Sequence, residues 1–255
     1  MARKRTQRLD MAVEAIQQRW GTRALRKAAK PRTIPHIPTS FEALDQALGI
    51  GGIPRGRVTE MLGAPTSGMS TLALKTASQA QSKGDTIIYL DLAHTFDPDY
   101  ADRCGVNLSQ LILARPHSGL EGLEIAWAFV ADGSAGLIIF DSIADLLLES
   151  RSHQALSTTL RQLVGALANS LCALVFLTPL YFGDAASASN YPSGFALAHY
   201  ASLRLLIQRA RWITYRSDIV GYQAEITTLK NKMAPMGAPT KIDIRFDGIV
   251  QGNGA

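Results

Sequence analysis

The chain has 255 residues, of which 47% are hydrophobic, and this is enough apolar material for the core of one α/β domain. No apolar run approaches the ~20 residues of a membrane helix, and no apolar segment follows the basic start of the chain. We therefore expect a cytoplasmic protein rather than a secreted or membrane-spanning one. The two cysteines are too few for a disulfide framework, and Cys172 is expected in the core.

Positive charge is concentrated near the beginning of the chain. Ten of the 26 Lys and Arg residues lie in the first 32 residues, which carry +8, while the remainder sums to −3. Such an arm is typical of contact with nucleic acid or an acidic protein, and a solvated helix is the simpler alternative. Apolar residues recur at helical spacing over 10–30 and predict an amphipathic helix that docks on the body or on another subunit. Prolines at 31, 35 and 38 predict a stiff linker.

The next stretch predicts a short helix and then a strand. Thr39-Ser40-Phe41-Glu42 matches a capping box, so we expect a helix over 41–48 that begins with this motif. The glycines and proline at 49–54 end it. An apolar strand over 58–62 follows.

This strand leads into a glycine-rich loop and a further helix. The loop reads Gly63-Ala64-Pro65-Thr66-Ser67-Gly68-Met69-Ser70-Thr71, and the phosphate-binding loop of nucleotide hydrolases reads G-x-x-x-x-G-K-[ST]. Met69 stands where the lysine belongs. Backbone N–H groups at a helix N-terminus attract anions without it, whereas the lysine would add a contact worth roughly 1.5–3 kcal/mol. We expect weak phosphate binding without hydrolysis, with an ordinary tight turn as the alternative.

Strands and helices then alternate. Strands are predicted at 86–90, 111–114, 136–142 and 172–178, and helices at 99–104, 119–132 and 157–170. Continuous apolar strands joined by helices indicate a mostly parallel sheet that is covered on both faces. Segments 203–208, 212–215, 224–230 and 241–246 are predicted to add an antiparallel edge. Asp141 ends an apolar strand, where an acid can orient a phosphate-bound magnesium ion through water.

Several segments between Asp10 and Val250 resemble the RecA family of bacterial recombinases, which coat single-stranded DNA. The segments that carry the resemblance are Ser40–Gly49, Gly51–Arg57, His94–Ala101, Phe140–Ala144, Ala196–Leu205 and Lys230–Lys232. The resemblance implies an α/β P-loop ATPase core that forms filaments, preceded by an N-terminal helix that packs on the adjacent subunit. We therefore divide the chain into an arm and linker at 1–38 and a RecA-like core at 39–255. No counterpart of the family's C-terminal regulatory domain is expected.

The resemblance also assigns nucleotide contacts. Asp97 would accept from the exocyclic amine of adenine, Tyr100 would stack on its ring, and two late lysines would reach the phosphates of a neighbouring subunit's nucleotide. The expected nucleotide-binding residues are Gly63, Ala64, Thr66, Ser67, Gly68, Met69, Ser70, Thr71, Asp97, Tyr100, Asp141, Lys230 and Lys232. Of these, Ser70 and Asp141 would hold Mg²⁺.

Two further positions depart from the family. Ala93 occupies the place of the glutamate that activates the attacking water, and Pro179 that of a glutamine that senses the γ-phosphate. We therefore assign no catalytic residue and expect ATP and Mg²⁺ to bind only weakly.

The expected DNA-binding parts are depleted of charge. The first loop, after Asp141, is shorter than in the family, and the second, Tyr181–Ser193, has aromatic residues but neither Lys nor Arg. Single-strand binding needs a basic groove beside stacking rings, so Arg216 and the N-terminal arm would have to contribute charge. The expected DNA-binding residues are Tyr181, Phe182, Asn190, Tyr191, Gly194, Arg209 and Arg211.

The sequence thus predicts a RecA-like DNA recombination and repair protein, of the kind used in the SOS response, that has lost efficient ATP hydrolysis. It would act as a regulatory or scaffolding subunit with single-stranded DNA, and through its N-terminal helix with a recombinase or its own copies. One alternative is an active DNA-dependent ATPase that uses lysines in trans. Another is an interaction module similar to ImuA, the accessory protein of mutagenic translesion synthesis.

Overall fold

The computed structural model describes residues 2–22, 33–143, 153–180, 197–246 and 250–251. The chain separates into two compact units, Met1–Thr33 and Ile34–Ala255. Among the described helices, none is both long and apolar enough to cross a membrane.

The first unit contains helix α1 (Ala2–Trp20). The helix predicted over 10–30 begins earlier, at Ala2, and α1 ends before Gly21. Gly21 has φ +85° and its N–H donates to the Gln17 carbonyl at 2.8 Å, the left-handed conformation that commonly ends a helix. Residues 23–30 of the predicted helix lie outside the described residues. Leu9, Met11 and Trp20 are each more than 60% exposed.

In the described part of the second unit, strands β1 (His36–Ile37) and β2 (Ile53–Pro54) form a separate ribbon. The remaining strands are β3 (Val58–Gly63), β4 (Ile87–Asp91), β5 (Leu111–Ala114), β6 (Leu137–Asp141), β7 (Ala173–Pro179), β8 (Leu203–Tyr215), β9 (Asp218–Asn231), β10 (Thr240–Arg245) and β11 (Val250–Gln251). They form a nine-stranded sheet in the order β11-β10-β9-β8-β3-β7-β6-β4-β5. Neighbouring strands from β8 to β5 in this order pair in parallel, whereas β8, β9, β10 and β11 pair antiparallel, which confirms the predicted sheet.

Helices cover both faces of the sheet, as predicted. They are α2 (Glu42–Ala47), α3 (Met69–Gln81), α4 (Pro98–Arg103), a 3₁₀ turn (Leu108–Gln110), α5 (Gly119–Asp132), α6 (His153–Leu167) and α7 (Leu197–Tyr200). One core cluster joins Leu72 and Ala77 of α3 to alternate residues of the strands, such as Ile139. The other joins α5 and α6 to the intervening residues of the same strands, such as Ile138. This alternation is the period-2 burial of a two-sided sheet. Both Cys104 and Cys172 are buried, and burial raises the pKa of the Cys172 thiol to about 12.

The predicted capping box does not form. Helix α2 begins after Phe41, which makes no side-chain cap. Instead the Thr39 hydroxyl and backbone N–H both donate to Asp45, at 2.8 and 3.0 Å from Oδ1. Asp45 therefore accepts the bond from the Thr39 backbone N–H that the motif assigns to Glu42. It lies one helical turn further along and faces the incoming chain.

The antiparallel edge is longer and more continuous than the sequence indicates. Two predicted strands, 203–208 and 212–215, are one strand, β8, with a change of register between Arg209 and Arg211. Such a bulge inserts one extra residue and twists the strand without ending it. Strand β9 likewise begins at Asp218 rather than 224, so that β8 and β9 form a long hairpin.

Candidate functional site

The glycine loop lies between β3 and α3 at the carboxyl edge of the parallel strands. Gly68, which caps α3, has φ +107°, and a Cβ at this position would lie 2.5 Å from Ile244 Cδ1. A Cβ on Gly63 would collide with Ser67 and come within 2.5 Å of the Ile207 carbonyl. A side chain at either position would clash with its neighbours, so both positions require glycine. The first turn of α3 is directed at the loop.

A cavity of about 520 Å³ opens above this loop. Its volume falls within the roughly 300–1,000 Å³ of small-molecule sites. The strands contribute through their carboxyl ends and the antiparallel edge through its aromatic residues. The lining residues are Ala64, Pro65, Thr66, Ser67, Gly68, Met69, Ser70, Thr71, Ala93, Thr95, Tyr100, Asp141, Ser142, Leu177, Pro179, Tyr222, Ile244 and Phe246.

Three hydroxyls form a chain across one wall of the cavity. The Thr71 and Tyr100 hydroxyl oxygens lie 2.5 Å apart, and Thr71 also hydrogen-bonds Tyr222. Burial raises the pKa of Tyr222 to about 12, with the nearby Tyr100 adding to the effect and the bond to Thr71 opposing it. Tyr222 and Tyr100 thus remain neutral hydroxyls that can present ring faces or O–H groups to a ligand.

The acidic end of the cavity is formed by neighbouring strands. Asp141 ends β6, and its Oδ2 accepts from the Tyr89 hydroxyl at 2.5 Å. Burial, followed by the charge of Asp141, raises the pKa of Tyr89. In the next strand Asp91 is fully buried and is paired with Arg115, with its Oδ2 3.1 Å from Nε. Of these two carboxylates, that of Asp141 lines the cavity.

A buried ion pair ties together the strands that carry the loop. Glu60 of β3 accepts from Arg204 Nε of β8 at 2.6 Å and from the Thr178 hydroxyl of β7 at 3.0 Å. Burial raises the pKa of Glu60, and the guanidinium of Arg204 opposes that rise. The pair fixes three adjacent strands, so the loop and Pro179 keep a constant spacing.

An arginine of the antiparallel edge reaches the loop from outside. Arg209 Nη1 donates to the Thr66 hydroxyl at 3.2 Å. Its guanidinium lies 4.2 Å from the centre of the Trp212 ring. Trp212 meets Tyr222 edge-on at 6.1 Å, and Tyr222 lies 6.3 Å from Phe246. A row of aromatic rings therefore connects Arg209 to the cavity wall.

Comparison with known proteins fixes the family of this chain. A model of the RecA N-terminal domain matches residues 7–251. Protein RecA of Oceanobacillus iheyensis is 37% identical over 262 residues, which cover 95% of this chain and 75% of that protein. The chain belongs to the RecA family. Protein RecA of Enterococcus mundtii is 35% identical over 96% of this chain and 76% of its own length. The crystal structure of the RadB recombinase has the same fold, with a TM-score of 0.68 and 21% identity over 86% of this chain and 100% of that one.

The cavity has few charged residues in its lining. Among its described lining residues none is Lys, Arg or His, and Asp141 is the acid. Met69 lines the cavity but is only 8% exposed, because its side chain also joins the core cluster. Ala93 and Pro179 line the same cavity. The three departures found in the sequence thus converge on one place.

The residues fit a nucleotide better than they fit a metal ion alone. Ser67 Oγ is buried and has no hydrogen-bond partner in the described structure, although Ser67 lines the cavity. Such an orphaned hydroxyl, together with the N-terminus of α3, suits a phosphate group. For Mg²⁺ the chain offers Ser70 and Asp141, and the described residues include no group of three His, Cys, Asp or Glu that could hold a metal. Magnesium sites that rely on one or two protein ligands depend on substrate phosphates for the rest.

Other predicted residues lie away from the cavity. Asp97 caps α4, its carboxylate accepting from the Tyr100 backbone N–H at 3.0 Å. Lys230 donates to the Ala198 and His199 carbonyls at 2.6 and 3.1 Å, and Lys232 donates to the latter at 3.3 Å. Burial and then the charge of Lys232 lower the pKa of Lys230.

The second predicted DNA loop is not part of the described structure. Tyr181, Phe182, Asn190, Tyr191 and Gly194 all lie outside the described residues, as do 144–152 of the first loop. Arg209 and Arg211 are exposed on β8.

Sequence reasoning missed the aromatic wall. Tyr222, Ile244 and Phe246 line the cavity, and Trp212 positions Arg209. No local motif marks these residues, because they reach the loop only through the pairing of β3 with β8 and of β8 with β9.

Proposed function

We propose that this chain is a DNA repair protein of the RecA family that binds adenine nucleotide weakly and hydrolyses it no faster than background. It acts as a regulatory or scaffolding subunit on single-stranded DNA or on a recombinase filament. The observation that carries the proposal is the cavity that Met69, Ala93 and Pro179 line together, with no Lys, Arg or His among its described lining residues.

Residual binding is supported by groups that do not depend on the lysine. The N-terminus of the 13-residue helix α3 is directed at the loop, and helix N-terminal N–H groups bind phosphate through their free donors and the helix dipole. Tyr100, Tyr222 and Phe246 offer ring faces for a base. Ser70 and Asp141 would hold Mg²⁺, and the ion would supply positive charge to offset that of the phosphates.

Loss of hydrolysis is supported by the chemistry of the replaced side chains. Phosphoryl transfer depends on positioning and on stabilising developing charge. Met69 contributes no charge, Ala93 cannot accept a proton, and Pro179 has neither a side-chain amide nor a backbone N–H. The rate contributions of groups that act together in a transition state are not additive, so any one of these groups alone would contribute little to hydrolysis.

A surface for single-stranded nucleic acid is supported by the β8–β9 hairpin. Trp212 and Tyr215 are 47% and 61% exposed, and Arg216 lies 5.3 Å from the Tyr215 ring. Basic residues interleaved with exposed rings match the backbone and base of a single strand. Arg211 and Arg216 would supply positive charge on this surface, in addition to the charge of the N-terminal arm.

A docking role is supported by the exposed apolar side chains of α1. Leu9, Met11 and Trp20 are exposed on a helix that contains five Lys and Arg residues. This observation also favours the second candidate, an ImuA-like interaction module that contacts a partner and no DNA. Use of Lys230 and Lys232 in trans would require both amines to leave the carbonyls they hold in this chain.

A purified-protein assay tests the proposal. ATP binding is titrated, and phosphate release is followed with and without single-stranded DNA. We expect measurable binding and no DNA-stimulated turnover. A stimulated rate of about 1 per second or more, which is typical of enzymes, would establish an active ATPase instead. DNA titration at low salt separates the two remaining roles, since a pure interaction module binds no DNA even there.

A further inference from the structure

The glycine loop lacks its own cation, and the described structure brings one to it from a different element. Arg209 of β8 donates from Nη1 to Thr66 Oγ1 at 3.2 Å. Thr66 has φ +64°, lies two residues before the cap of α3, and lines the cavity. The guanidinium thus contacts the loop at Thr66, a residue of the cavity lining.

This placement is held by more than one hydrogen bond. The Arg209 guanidinium is 4.2 Å from the Trp212 ring centre, a distance at which a cation is attracted to the face of an indole. Trp212 in turn meets the edge of Tyr222, which hydrogen-bonds Thr71 and lies 3.2 Å from where a Cβ on Gly68 would be. An exposed arginine ordinarily loses side-chain freedom when it binds, and the stacking reduces that cost.

We infer that Arg209 supplies the cation of this site and binds the terminal phosphate of a nucleoside di- or triphosphate, with Trp212 as its positioning residue. The inference rests on the proposed nucleotide binding. An arginine fork forms two parallel hydrogen bonds to a phosphate, which suits it to this task. Ser67 Oγ, buried and unpartnered beside Thr66, is the second group that would meet the same phosphate.

The chemistry of this arrangement differs from that of the usual lysine. Arg209 neutralises phosphate charge from the antiparallel edge, and it brings no base or γ-phosphate sensor. It therefore contributes to affinity and to selectivity for polyphosphate, and not to hydrolysis. In this inference Arg209 binds nucleotide, whereas the sequence led us to expect it among the DNA-binding residues.

Binding titrations of ATP, ADP and adenosine to full-length variants test the inference. Arg209→Gln should weaken ATP binding by about 5- to 20-fold, because a charge-assisted contact at an exposed site is lost. The affinity for ADP should fall as well, and the affinity for adenosine should be unchanged. Arg209→Lys keeps the charge without the guanidinium fork, so its ATP affinity should lie between those of wild type and Arg209→Gln. Trp212→Leu should lose affinity for the same ligands as Arg209→Gln, but to a smaller extent.

Lys241→Gln is the matched control. Lys241 is 54% exposed on β10 and its nearest acid, Glu225, is 4.0 Å away, so the substitution removes one positive charge from the same sheet at little cost. It should change ATP affinity by less than about twofold. Equal ATP affinity for wild type and Arg209→Gln would overturn the inference while leaving the proposed nucleotide binding intact. A wild-type protein that binds no ATP would overturn both.

Discussion

Met69 separates the shape of a phosphate-binding loop from its charge. The two glycines are needed because neighbouring groups occupy the space of their absent side chains, and the loop keeps its form with Met69 packed on the core. A lysine there would have to turn its amine out of this contact and toward the cavity. Packing thus maintains the geometry of the loop.

The Met69→Lys variant should bind ATP about 10- to 150-fold more tightly than wild type, since a charge-assisted contact is worth roughly 1.5–3 kcal/mol. It should not gain turnover, because Ala93 and Pro179 remain. Calorimetric titration and a phosphate-release assay measure the two quantities, with Met69→Leu as the uncharged control. Turnover restored by this one substitution would show that the other two groups are not needed.

Tyr222 should make alkaline stability depend on pH. Its folded pKa, about 12, is above the ordinary value of 10.0. A group whose pKa is raised by folding stabilises the fold fully below its unfolded pKa, and that contribution is lost as pH rises toward the folded value.

Tyr222→Phe removes this titration and the hydrogen bond to Thr71. At pH 8 the variant should be about 0.5–1.5 kcal/mol less stable than wild type. Between about pH 10 and 12 the difference should narrow, because only wild type loses stability through this group. Urea unfolding at several pH values measures it. A difference that stays constant over this window would contradict the raised pKa.

At the scale of elements, the sequence predicted the parallel sheet because continuous apolar runs allow little else. The strand over 172–178, for example, is nearly the observed Ala173–Pro179. The errors in the bounds of helices and strands arose where a local sequence motif was overridden by a contact with another residue. Thr39 pairs with Asp45 rather than with Glu42, and the polar residues near Arg209 mark a bulge rather than the end of a strand.

The charge of α1 should govern the salt dependence of any DNA binding. Each phosphate contact by Lys or Arg releases counterions and contributes about −0.7 to the log–log slope for single strands. Converting Arg3, Lys4, Arg5 and Arg8 to Ala should flatten that slope by up to about three units. Fluorescence anisotropy of labelled DNA over a range of salt measures the effect.

An uncharged substitution serves as the control. Tyr215→Ala, on the exposed end of β8, removes a stacking ring and should lower affinity with an unchanged slope. An arm variant with the wild-type slope would show that the phosphate contacts come from elsewhere on the chain. Tyr191→Ala, in the second loop, should behave like Tyr215→Ala.

For the whole molecule, the candidate site is a product of topology. The loop, Asp141 and Pro179 could be predicted because each follows an apolar strand, and the carboxyl ends of parallel strands meet at one edge. Tyr222, Ile244 and Phe246 could not, since they enter from β9, from β10 and from the residue after β10. Their position depends on the strand order, in which β8 pairs with β3 and carries the antiparallel edge to the loop. The same order brings Arg209 to Thr66.

The division into two units predicts how assembly can be separated from folding. The sheet and both core clusters belong to the second unit, Ile34–Ala255, so deletion of residues 2–32 should leave the core folded. The same deletion should abolish association with other copies or with a RecA recombinase. Circular dichroism measures folding, and analytical ultracentrifugation, alone and with a recombinase, measures association.

Full-length Met11→Ser/Trp20→Ser distinguishes the apolar side chains of α1 from its charge. Both residues are exposed, at 69% and 68%, so the substitutions should not unfold the core. Loss of the apolar surface removes roughly 25 cal/mol per Å² of contact area. Association should therefore fall with this variant and survive in the arm variant that lacks four charges. A full-length chain that stays monomeric in every mixture would show that α1 docks on no other subunit.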